Sequence, residues 1–164
     1  MDRIRAAVSV GLALGGLLVA GCSGGDGAGA SGARMGEVGE AFGQEAQKAA
    51  DDFYSFFRAY EGELEVTNDG KTDMPCELSG EVKRRYDASF LALERGTSFG
   101  FIFRPKINTY DADYTINKVP DQASDTPEAE LRRKDKPYTL VIKVDRSAKV
   151  RVTIHAETDC LDAG

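Results

Sequence analysis

The stretch "EVGEAFGQEAQKAADDFYSFFRAY", residues 37–60, decides the fold. At 100° per residue Val38, Phe42, Ala46, Ala49, Phe53, Phe56, Phe57 and Tyr60 fall within an arc of about 100°. Glu37, Glu40, Glu45, Lys48, Asp51, Asp52 and Arg58 lie outside it, so the segment reads as one long amphipathic helix. A helix lying in a membrane interface carries Lys and Arg opposite its rings; here the opposite face is mainly acidic, so the stripe is expected to be core against a sheet. Glu61-Gly62 supplies the stop.

Downstream the period shortens to two. Leu64 and Val66 alternate with Glu63, Glu65 and Thr67, and "NDGKTDMP" marks a turn or loop. Val82, Arg84, Tyr86, Ala88 and Phe90 share one strand face; Val82, Tyr86, Phe90 and Leu93 also fit a helix, and the strand is preferred. Phe99, Phe101 and Phe103 predict a strand ending before Pro105, and Tyr110, Ala112, Tyr114 and Ile116 a further one. Residues 120–137, with three prolines, read as a long exposed loop holding at most a turn of helix at 127–133. The clearest hairpin comes last: Leu140, Ile142 and Val144 on one strand face, a turn at 145–148, and Val150, Val152, Ile154 and Ala156 on the return.

One helix followed by five or six antiparallel strands describes an α+β domain at 37–164, with enough apolar residues for one core. In element order alone it resembles the cystatin-like and nuclear-transport-factor-like domains, in which a curved sheet wraps a long amino-terminal helix.

The beginning of the chain carries a different signal. Arg3 and Arg5 precede an apolar run over residues 6–21 that is shorter than the roughly 20 residues of a spanning helix, which reads as a signal peptide at 1–21. Its ending, Val19-Ala20-Gly21-Cys22, resembles the lipobox of bacterial lipoproteins. The Ala, Gly and Arg usage is compatible with a high-GC Gram-positive source. The resemblance implies a diacylglyceryl group on the Cys22 thiol, cleavage before it, a palmitate-type anchor, and residence on the extracytoplasmic face of the cell membrane. Residues 22–36, rich in Gly, Ala and Ser, then form a flexible tether.

With Cys22 acylated, Cys76 and Cys160 remain, and in an exported chain two cysteines allow one disulfide. Loss of the leader leaves 19 basic and 26 acidic residues, a balance expected to repel nucleic acid and anionic lipid headgroups. The basic triplets Lys83-Arg84-Arg85 and Arg132-Arg133-Lys134 read as solvated faces.

Chemistry is sparse. His155 is the only histidine and by strand parity faces outward with Arg151, Thr153 and Glu157, so neither a histidine triad nor a multi-histidine metal site fits. Asp111 and Asp113 are expected on one strand face, where two acids at i and i+2 serve a hydrolase, a cation or plain solubility. A P-loop and HExxH are missing, and no cofactor and no metal is expected. Eight Phe and six Tyr without Trp leave open an apolar-ligand pocket lined by Phe57, Tyr60, Phe90 and Phe101. The leading expectation is a non-enzymatic, lipid-anchored envelope protein that binds another protein or a cell-wall component; the alternative is a carrier or sensor of a small apolar ligand.

Overall fold

The computed structural model describes residues 33–57, 63–92, 98–147 and 149–164, with the side chains of 98–100 left aside. It is an α+β structure with one main helix, α1 (Met35–Phe56), on an antiparallel sheet. The strands are β1 (Glu65–Pro75), β2 (Glu81–Leu91), β3 (Tyr114–Lys118), β4 (Glu128–Arg133), β5 (Tyr138–Asp145), β6 (Arg151–Thr158) and β7 (Leu161–Asp162). Their order is β1-β2-β6-β5-β4-β3, with β7 alongside the start of β2. A second helix, α2 (Ser98–Asn108), precedes β3.

The stripe of α1 behaves as its periodicity requires, burying Phe42, Ala46, Ala49, Phe53 and Phe57. The helix rests on β1, β2 and β6, and the Phe42 ring meets Tyr138 of β5 edge-on at 5.5 Å. It begins at Met35, which is buried, so the last two residues of the expected tether belong to the helix. Phe56 departs from the stripe and is 42% exposed. Tyr60 and the stop at 61–62 lie outside the described residues.

Strand parity holds in β2, where Tyr86, Ala88 and Phe90 are buried, and in the β5–β6 hairpin, whose register pairs Leu140 with Ala156 and Ile142 with Ile154. The Cys76–Cys160 disulfide is formed. Its loop of 84 residues corresponds to roughly 4–5 kcal/mol in the chain-entropy account. It ties the end of β1 to the approach of β7.

Three expectations are corrected. Residues 98–108 are helical and not a strand: Phe103 and Ile107, one turn apart, point into the core, whereas Phe101 is 71% exposed. Pro105 sits inside this helix and removes one amide donor. Residues 110–113 are turns, and β3 starts only at Tyr114. The expected loop at 120–137 contains β4, whose Ala129 and Leu131 are fully buried and pair with Ile142 and Leu140.

The "NDG" signal also acts differently from the turn expected of it. β1 continues through it, with its register against β2 shifting between Asp69 and Asp73, and Gly70 has φ +75°. An added Cβ there would stand 3.1 Å from the Phe42 ring and 3.2 Å from Gly43 Cα. The irregular strand is what lets α1 approach β1 so closely. Gly70→Ala should therefore cost about 2–4 kcal/mol, from left-handed backbone and overpacking together. Gly80→Ala, at φ +90° in open space, should cost only about 1–2 kcal/mol. Urea denaturation of the two variants checks the difference.

Candidate functional site

Where α1 leaves the β3–β4 end of the sheet, a cleft of about 360 Å³ opens, lined by Glu45, Lys48, Ala49, Asp52, Thr109, Tyr110, Asp113, Tyr114 and Arg133. Its walls come from α1, from the turn after α2, and from β3 and β4. Arg133 shares the inner face of β4 with Ala129 and Leu131 by strand parity, so its side chain is only 17% exposed. Its guanidinium lies 5.2 Å above the Tyr114 ring centre and pairs with Asp135 at 2.6 Å, Asp113 at 3.6 Å and Glu45 at 4.0 Å.

Two carboxylates on one side of α1 organise the rest. Glu45 accepts from Lys136 Nζ and the Tyr138 hydroxyl, and the Tyr138 and Tyr114 hydroxyls are 3.1 Å apart. Asp52 accepts from Lys106 Nζ and the Tyr110 hydroxyl, each at 2.6 Å. Lys106, nearly buried, also lies 4.9 Å above Phe56; Tyr110 stacks on Phe53 at 5.4 Å.

Burial pulls the pKa of Glu45 up, but the bonds from Lys136 and Tyr138 and the Arg133 charge outweigh it and hold the carboxyl below its usual 4.5. For Asp52 burial is likewise overcome, here by Lys106, Tyr110 and Lys48, so its pKa lies below 3.8. Burial first, then the acceptors Glu45 and Asp52, push the phenols of Tyr138 and Tyr110 far above the ordinary 10.0. Buried Tyr86, bonded to Gln47 at 3.0 Å, is pushed up to about 12, mainly by burial.

A second cleft, of about 670 Å³, runs between α1 and β1 past Gly39, Gly43, Gln44, Gln47 and Arg84. Apart from Arg84, which pairs with Asp73 at 2.6 Å, its charged groups sit on exposed surface. The smaller cleft gathers charges of both signs and tyrosine rings from several elements, which makes it the better candidate site.

The expected site residues are not brought together. Phe57 and Phe90 are buried in the packed core, Phe101 points outward, and Tyr60 lies outside the described residues, so the described members of this set do not line a common pocket. Asp111 and Asp113 are exposed on the turn after α2, and only Asp113 reaches the cleft. His155 is half-buried on the outer sheet face, its Nδ1 2.8 Å from Asp87. Among the described residues no three His, Cys, Asp or Glu side chains converge on a metal position. Cys22 lies outside them. Each basic triplet turns one arginine inward, Arg84 and Arg133, against the expectation of fully solvated faces. Strand parity with Leu131 was the available signal for Arg133.

Neither the protein-family models nor the curated proteins include a match. Among solved structures the chain is similar to the crystal structure of LppA from Mycobacterium tuberculosis, described as a proposed lipoprotein. The two are 12% identical over 79% of each chain, with a TM-score of 0.39. A likeness at that level carries no functional inference.

The pH dependence of stability follows from the shifts. The depressed Glu45 and Asp52 contribute above the unfolded carboxyl values, and that contribution is lost as pH falls through their folded values. The raised tyrosines contribute fully below pH 10.0, and that contribution is lost as pH rises toward their folded values. Denaturant midpoints should fall on both sides of a plateau between about pH 5 and pH 10. Tyr138→Phe should raise the Glu45 pKa, read by carboxyl NMR, and cost about 1–2 kcal/mol.

Proposed function

We propose that this is a lipid-anchored, non-enzymatic protein of the cell envelope whose body binds a polar cell-wall component at the outer face of the membrane. The observation that carries the anchor is Val19-Ala20-Gly21-Cys22 at the end of an apolar leader, followed by the Gly, Ala and Ser run. The disulfide supports export, since such bonds persist in oxidising compartments.

The lining of the cleft supports a polar ligand. Glu45, Asp52 and Asp113 line the cleft with Lys48, Arg133 and the rings of Tyr110 and Tyr114, a surface that suits amide, amine and hydroxyl groups. Of the aromatic residues expected to serve an apolar ligand, Phe57 and Phe90 are in the core and Phe101 is turned outward.

Two measurements test the two halves. Cys22→Ala should abolish incorporation of labelled palmitate in cells, and label persisting on the variant would overturn the anchor. The protein should co-sediment with isolated cell-wall sacculi, and Lys48→Glu, an exposed change on the cleft rim, should weaken this by about tenfold. Absence of wild-type sedimentation, or indifference to Lys48→Glu, removes the cleft reading.

A further inference from the structure

The outward side of α2 does not belong to the cleft. Phe101, Arg104, Pro105 and Asn108 are all exposed, and their spacing of three, four and seven places them on one helix face. Phe101, at 71%, is the most exposed large hydrophobic residue among those described.

This helix is also charged against the trend of the chain. The protein has a formal net charge of −6, yet "SFGFIFRPKIN" contains two cations and no acid. Lys106 is paired with Asp52. Arg104 has no ion pair among the described residues. An exposed ring beside an unpaired guanidinium matches the boundary of an anionic bilayer, where the ring enters the headgroup region and the cation meets phosphate.

We infer that the outward face of α2 is a second membrane contact, seating Phe101 among the headgroups of an anionic bilayer with Arg104 on lipid phosphate. The inference rests on the lipid-anchor reading, which keeps the body beside the surface at high effective concentration. Reach is sufficient. Residues 23–34 span up to about 40 Å when extended, and α1, with 22 residues, is about 33 Å long. The far end of the body can therefore touch the bilayer that holds the near end.

The chain contains no tryptophan, so Phe101→Trp gives a single reporter at an exposed position. The variant, purified as its cells process it, would be reconstituted in vesicles of phosphatidylglycerol and phosphatidylcholine, with and without brominated acyl chains, and vesicle flotation recorded beside fluorescence. The expected result is flotation, emission at shorter wavelength, and loss of about half the intensity to bromine, as for a ring roughly 5–10 Å into the headgroup boundary. Adding Arg104→Glu should return the emission toward its value in pure phosphatidylcholine vesicles. Flotation with a water-exposed, unquenched tryptophan overturns the α2 contact and leaves the anchor standing. Failure to float overturns the anchor and, with it, this contact.

Discussion

One helix has one apolar stripe, and this sheet has more inner surface than that stripe covers. α1 lies on β1, β2 and β6, brought close by the irregular backbone around Gly70. The β3–β4 end of the sheet carries a layer of tyrosines, and α2 meets the end of α1, where the Phe103 and Phe57 rings are 6.1 Å apart. A buried phenol needs a hydrogen-bond partner, so Tyr138 and Tyr110 take Glu45 and Asp52 from the flank of α1. Those carboxylates in turn take Lys136 and Lys106. The seam between helix and sheet is thus polar where α1 meets the tyrosine layer.

That arrangement separates two kinds of surface. The cleft holds opposite charges in contact, each partly answered by its neighbour, and an incoming polar group exchanges partners instead of meeting bare charge. The outward side of α2 is the reverse: an exposed ring, a cation without an ion pair among the described residues, and no acid in the helix. The same short helix roofs the core with Phe103 and Ile107 and presents Phe101 and Arg104 to its surroundings.

Much of the frame was legible in the sequence because it rests on local periodicity. The α1 stripe, the parity of β2 and the β5–β6 hairpin are repeats of 3.6 or two within one segment, and the cysteine pairing follows from counting. α2 was not legible: Phe99, Phe101 and Phe103 alternate like a strand, and Pro105 looks like its end. What makes the segment helical is tertiary: Phe103 and Ile107, one turn apart, enter the core, with the Phe103 ring 6.1 Å from Phe57. β4 was hidden by prolines on either side of its short Ala129 and Leu131 alternation. The cleft was least legible, because Glu45 meets Lys136 across 91 residues and Asp52 meets Lys106 across 54. No spacing along a chain encodes such partners.

The entry of α1 has a mechanical meaning. Arg34, just before the helix, forms a parallel bridge with Asp162 of β7. β7 pairs with the start of β2, and the Cys76–Cys160 bond stands beside it. Tension arriving along the amino-terminal segment is therefore delivered into the one corner where a covalent cross-link backs the hydrogen bonds. The load runs from backbone to strand to disulfide before it reaches the helix packing, so the body is built to be pulled from that end without being peeled open.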